Sequence, residues 1–276
     1  QVNVPIGLVL ILLTGAGPLF AWRRTSEESL KKSFAVPIAV GVLSLPVLLG
    51  LGVRDLYALT SLVLCTFVTT AILLEFHAGT HARMRSTGER YLTALYRLSA
   101  KNRRRYGGYM THLALVLLFV GFTGKAFTDE VELVLNRGET VPIGAYELTY
   151  ETMAFKEDAN MNSTAAALTL SRDGQRLGTL LPERRYYKSF DQGTTEVSIY
   201  SDLREDFYLI LVGSAEDGSA KFQVYINPLV NFVWLGSIVL IIGSIWAMWP
   251  TARDRRIPRI DRSTATASLQ PSPVGT

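Results

Sequence analysis

Asn102-Arg103-Arg104-Arg105-Tyr106-Gly107-Gly108-Tyr109-Met110-Thr111-His112-Leu113-Ala114-Leu115-Val116-Leu117-Leu118-Phe119 joins three arginines and two glycines to an apolar run that carries one histidine about two turns inside it. Basic residues followed by apolar ones mark the cytoplasmic end of a membrane helix. An ionisable side chain within such a run is costly in lipid and therefore points to function. Everything upstream of this stretch reads as membrane. Everything downstream reads as an outward-facing domain with one more membrane anchor.

Composition agrees with a mixed chain. Of 276 residues, 48% are hydrophobic and the mean hydropathy is +0.21, too apolar for an ordinary soluble domain; yet 19% are charged, too many for a chain wholly in lipid. The net charge of +4 and pI near 9.2 come from Lys and Arg set beside apolar runs. That is the pattern of membrane topology and not of nucleic-acid binding. Cys65 is the only cysteine, so no internal disulfide or CxxC pair exists, and its apolar surroundings predict core packing. The chain opens on Gln1 without a signal-peptide pattern, which reads as a C-terminal part of a longer membrane protein.

Working outward, residues 4–22 are apolar and uncharged, about the length that spans a bilayer, and end at Trp22-Arg23-Arg24. Residues 35–52 return outward, with Pro37, Pro46, Gly41 and Gly50 making this the least regular span. Arg54-Asp55 turns the chain into residues 56–74. Arg83, Arg85, Arg90, Arg97, Lys101 and Arg103 to Arg105 then place a basic loop in the cytoplasm. Within it Tyr91, Leu92, Leu95, Tyr96 and Leu98 recur at helical spacing, predicting an interfacial amphipathic helix. Residues 109–124 cross outward, and Tyr106, Gly107 and Gly108 must continue that helix for it to be long enough.

After residue 127 the period changes to two. Strands are predicted at 131–135, 141–143, 146–150, 165–170, 175–181, 196–200, 207–212 and 221–225, with turns at Asn136-Arg137-Gly138-Glu139, Ser171-Arg172-Asp173-Gly174 and Glu216-Asp217-Gly218. Glu183-Arg184-Arg185-Tyr186-Tyr187-Lys188 is read as a solvated basic-aromatic loop. Residues 230–249 form the last span, held by the arginines from Arg253 to Arg262. The expected fold is a multi-pass α-helical membrane protein of about five transmembrane helices with an inserted all-β extracytoplasmic domain. Its divisions are 1–106 (three spans, the basic loop and its interfacial helix), 107–126 (the span carrying His112), 127–226 (the β domain), 227–250 (the last span) and 251–276 (a disordered cytoplasmic tail).

Candidate chemistry is sparse. His77 and His81 stand at i, i+4, a spacing that puts both rings on one helix face and could hold a metal, but no third ligand is near in sequence, which favours a solvated helix end. His112 meets a different demand. A haem needs an axial imidazole, room for a flat macrocycle, apolar or aromatic walls, and cations for its propionates. On a helix Gly108 and Tyr109 lie one turn to one side of His112, Val116 and Phe119 continue its face, and Arg105 lies two turns inward, about 10 Å away. The alternative is an interhelical hydrogen bond from His112, with the arginines setting topology alone. The β domain shows no nucleophile–base motif, paired carboxylates or phosphate loop.

Arg104-Arg105-Tyr106-Gly107-Gly108-Tyr109-Met110-Thr111-His112-Leu113, the opening Val4-Pro5-Ile6-Gly7 and Gly15-Ala16-Gly17-Pro18-Leu19, Glu75-Phe76, Leu181-Pro182-Glu183-Arg184-Arg185-Tyr186 and Asn227-Pro228-Leu229-Val230-Asn231-Phe232 occur in an order that resembles the C-terminal part of the CcmF/NrfE family. The resemblance covers all but the tail. It implies a subunit of the haem lyase that attaches haem to the CxxCH motif of apocytochrome c outside the bacterial cytoplasmic (inner) membrane. It also implies a b-type haem in the membrane with His112 as one axial ligand of the iron, and Arg105 becomes a candidate for a propionate contact. The implied partners are the N-terminal half of the protein or a split subunit, a periplasmic haem chaperone, thiol-handling apocytochrome c chaperone subunits, apocytochrome c and the lipid bilayer, with no nucleic acid. The family's tryptophan-rich WWD segment and its other histidines have no counterpart here, so this chain is not expected to catalyse ligation alone. Rival readings are a membrane-anchored periplasmic β-domain scaffold without haem and a transporter fragment, the latter resting only on the Pro37/Pro46 span.

Overall fold

The computed structural model describes residues 2–19 and 27–250. The expected Trp22-Arg23-Arg24 boundary and the tail after residue 250 lie outside the described residues. Six α-helices are described: α1 (Asn3–Leu19), α2 (Glu27–Gly50), α3 (Leu56–Thr87), α4 (Tyr91–Lys101), α5 (Arg103–Thr123) and α6 (Asn231–Met248). A 3-10 turn over Gly124–Phe127 prolongs α5.

Four described helices, not five, are long and apolar enough to cross a membrane, and they lie in α2, α3, α5 with its 3-10 turn, and α6. The helix expected to make the fifth span, α1, has 17 residues. The rest of the span expected there, residues 20–22, lies outside the described residues. Helix α1 still belongs to the bundle. Ile11 is fully buried, and a Cβ on Gly15 would lie 2.6 Å from Val68 Cγ2, so α1 and α3 touch closely there.

The basic loop expected after residue 74 is mostly helix. The helix runs past Leu74 and through Gly79 until Gly88, which adopts φ 68° and donates its N–H to Met84 O at 2.8 Å, closing α3. The joint to α4 is then clamped by charge. Glu89 accepts from Arg83 Nε at 2.8 Å and from Arg97 Nη1 at 2.7 Å. Pro37 and Pro46 sit inside α2 without ending it.

Helices α5 and α6 form an antiparallel pair closed by glycines. Added Cβ atoms at Gly236 and Gly243 would stand 3.0 Å from Ala114 O and from Thr111 N, and one at Gly107 would stand 2.7 Å from Ala247 Cα. Small residues let two backbones approach where lipid offers no hydrophobic drive for association.

The β domain is a sandwich. One sheet runs β1 (Asp129–Leu135), β10 (Ala220–Pro228), β9 (Glu205–Ser214), β8 (Ser198–Ser201). The other runs β2 (Thr140–Ile143), β3 (Tyr146–Glu157), β4 (Met161–Arg172), β6 (Glu183–Tyr187), β7 (Gln192–Glu196), with β5 (Gln175–Leu180) also paired to β4. Period-two burial drives it. Phe222, Val224 and Ile226 of β10 and Phe207, Leu209 and Leu211 of β9 face inward against Leu148, Tyr150, Leu168 and Leu170 of the opposite sheet. Asp173 at φ 53° and Gly174 at φ 73° make the tight β4–β5 turn that the sequence predicts.

Two expectations need correction. Residues 183–187 are a strand between β4 and β7, not a solvated loop, because the segment pairs on both edges, and Arg184 Nη1 also reaches across to Val212 O at 2.6 Å. The single strand expected at 196–200 is two, β7 and β8, one in each sheet.

The sandwich is tied to α6 through an ion network. Arg172 bridges Asp202 at 2.9 Å and Glu205 at 3.1 Å, lies 4.2 Å over the Tyr146 ring and hydrogen-bonds the Tyr146 hydroxyl. Asn231 at the start of α6 donates to Asp202 O, and Leu229 N–H donates to Arg204 O at 3.2 Å. Burial raises the Asp202 carboxyl, but the N–H groups of Arg204 and Glu205 and the Arg172 guanidinium outweigh it, leaving Asp202 below the usual carboxylate range.

Candidate functional site

His112 lies in the middle of α5, half-buried, where α5 faces α1. Its ring meets the backbone of Thr14, while its Nδ1 is buried without a hydrogen-bond partner. A buried, unpaired imidazole nitrogen is costly, and a ligand is one way such a group is retained. The two glycines before it play different parts. Gly107 is filled by the backbone of Ala247, but a Cβ on Gly108 would meet nothing within 4 Å. Since Gly108 is one turn from His112, the open space lies beside the imidazole. Further along the same face, Val116 is buried and the Phe119 ring packs on Gly7.

Arg105 is already engaged. Its Nη2 bonds Glu75 Oε2 at 2.5 Å and its Nε bonds the Tyr109 hydroxyl at 2.8 Å; Tyr109 in turn donates to Glu75 at 3.0 Å. The guanidinium also lies over the Tyr109 ring at 5.5 Å. This triad was not expected from the sequence. Its signal was Glu75, a carboxylate at the end of an apolar run that calls for a cation. Guanidinium has five donors, so the Nη1 group is left for another carboxylate.

The remaining candidates divide. Cys65 is buried with its thiol 3.8 Å from Val116 O, a packing role as expected. The His77 and His81 rings lie 4.3 Å apart on the last turns of α3, with the Tyr91 ring about 6 Å from each at 6.0 and 6.1 Å. Among the described residues no group of three or more His, Cys, Asp or Glu could hold a metal ion.

Outside the helices, the Arg83 and Arg97 guanidiniums hold the Glu89 carboxyl down to about 2. Burial and the Glu205 carboxylate push the Tyr146 hydroxyl up. Both groups fasten elements and carry no reaction geometry.

Comparison with known proteins completes the picture. Residues 126–228 match the family model described as the CcmF C-terminal beta-sandwich. The cytochrome c-type biogenesis protein CcmF of Haemophilus influenzae is 25% identical over 249 residues, which cover 89% of this chain and 36% of that protein. The chain is a CcmF-family protein. The Escherichia coli K12 CcmF is 26% identical over 251 residues, covering 90% of this chain and 37% of the relative. The solved structure named Cytochrome c Heme Lyase CcmF superposes with a TM-score of 0.68 at 23% identity, covering 91% of this chain and 40% of that one, and so shows a shared fold. The CcmF match is to the C-terminal portion of the family, and the chain spans between a third and two-fifths of the length of these relatives.

Proposed function

We infer that this chain contributes the C-terminal part of a cytochrome c haem lyase and that His112 is one axial ligand to a b-type haem within its membrane helices. The observation that carries this reading is the buried, unpartnered Nδ1 of His112 beside the open flank of Gly108, in a protein of the CcmF family. The residues present fit the group. His112 supplies the imidazole, Val116 and Phe119 supply apolar wall, and Arg105 keeps donors for a propionate while Glu75 and Tyr109 hold it at its end of the bundle. When bound, haem would supply one-electron chemistry at the iron, set by its axial ligands and surroundings. The chain's own residues orient the imidazole through the Thr14 contact and keep water from it by packing α1 and α3 around α5.

In this reading the sandwich stands outside the bacterial cytoplasmic membrane and the arginine-rich end of α5 faces the cytoplasm, as the clustering of Lys and Arg there favours. The second axial ligand comes from the upstream part of the family, and delivery of haem and apocytochrome c falls to a periplasmic haem chaperone and thiol-handling subunits. A cell-based test is direct. With its upstream counterpart present, loss of this chain should abolish covalent haem on a CxxCH reporter cytochrome, and restoring the chain should recover it. Undiminished reporter haem without the chain would overturn the assignment.

A further inference from the structure

A cavity of about 540 Å³ opens at the end of the helix bundle next to the sandwich, between α1, α3 and α5. That volume is in the range of small-molecule sites. Its walls are apolar, from Val4, Gly7, Leu8, Phe119 and Phe122, and Lys125 of the 3-10 turn stands at its rim. The polar groups around it are mostly spoken for. Ser61 Oγ and Thr123 Oγ1 share a hydrogen bond of 2.7 Å, and Thr123 also donates to Phe119 O at 2.7 Å. Asp55 Oδ1 accepts the N–H of Ala58 at 2.7 Å as the cap of α3. Lys125 has only the face of the Tyr225 ring, 5.5 Å away, and no carboxylate partner among the described residues.

We propose that this cavity holds the acyl chain of one membrane phospholipid whose phosphate lies at Lys125. Three features select that occupant. The cavity lies within the membrane-crossing segments, since Ser61 belongs to α3 and Phe119 to α5. From Lys125 to Phe119 it runs about 9 Å down the α5 axis, away from the sandwich and into the apolar layer. It also opens sideways past Val4, Tyr57 and Phe122, whose apolar or aromatic side chains are exposed among the described residues, which suits an acyl chain entering from the side. An anionic headgroup with an apolar tail matches one cation at the rim above dry walls. The proposal shares the Phe119 ring with the haem reading but does not need a bound haem, because the cavity lies at the level of Phe119 to Lys125 and His112 two turns further along α5.

The test is lipid retention. The protein, extracted with its bilayer in polymer nanodiscs and moved into detergent, is examined by native mass spectrometry and phosphorus assay, and about one phospholipid per chain should remain. Gly7→Leu fills the space beside Phe119, where even a Cβ would sit 3.2 Å from the ring, and should remove that lipid. Lys125→Glu should lower retention about fivefold, the worth of one headgroup ion pair. Leu43→Ala, on the exposed face of α2, should change nothing. A benzophenone amino acid at Phe122 should cross-link to lipid, which decides the matter even where Gly7→Leu fails to fold. No retained phospholipid, equal retention in a folded Gly7→Leu protein, or cross-linking at Phe122 to polypeptide would overturn the proposal, the last by showing that protein fills the cavity.

Discussion

Gly107 and Gly108 are neighbours in sequence with opposite surroundings, and replacing each by alanine separates packing from space. At Gly107 the new methyl carbon would stand 2.7 Å from Ala247 Cα and 2.8 Å from its Cβ. Carbon atoms want about 3.5 Å, so α6 must retreat by about 0.8 Å. Gly236 and Gly243 lie along the same interface, each with would-be Cβ contacts at 3.0 Å, and a gap of that size forfeits about a quarter to a half of each dispersion contact along the seam. Overpacking of this kind costs about 1–3 kcal/mol. At Gly108 nothing lies within 4 Å, so the cost there is absent. Both substitutions share the same gain of about 1 kcal/mol in helix propensity, which cancels in the comparison. Gly107→Ala should therefore melt about 5 °C below Gly108→Ala, taking a few degrees per kcal/mol for a protein of this size. Tryptophan fluorescence during a thermal ramp in detergent reports it, since Trp234 and Trp246 lie on α6. A Gly107→Ala protein that melts at or above Gly108→Ala would refute the packing argument.

Arg172→Ala should destabilise the sandwich by about 2 kcal/mol, because it strips two carboxylates of their shared cation, and Tyr146→Phe should cost less; thermal melts of the two variants check the order. The α3–α4 joint should respond to acid. With its folded value held near 2 against an ordinary 4.5, Glu89 contributes stability that is complete above about pH 4.5 and is lost as pH falls through 2, so protection of the Gly88 N–H, taken relative to the intrinsic exchange rate, should fall only over that window, and Glu89→Gln should show reduced protection already at neutral pH.

Much of the architecture is visible in residue order. The change from apolar runs to period-two alternation after Phe127 marks the sandwich, and Asp173-Gly174 marks its β4–β5 turn. What sequence misses is tertiary in origin. Glu183 to Tyr187 is too charged to look like a strand, yet it pairs on both sides and its arginines find Val212, Glu183 and Glu196. The ten described strands fall into two sheets by two crossings, one between Leu135 and Thr140 and one between Glu196 and Ser198, and no local pattern signals the second. At the candidate site His112 stands out by chemistry alone, whereas the engagement of Arg105 by Glu75 depends on α3 and α5 lying side by side. The unequal roles of Gly107 and Gly108 are likewise settled by the place of α6.

The central claim is that His112 binds haem iron, and one spectrum tests it. The protein, purified with its upstream counterpart, should show the reduced absorption bands of a six-coordinate b-type haem. Those bands should be lost or shifted in His112→Gly and restored by added imidazole, which replaces the missing ligand. An unchanged b-type spectrum in His112→Gly or His112→Ala would contradict the account.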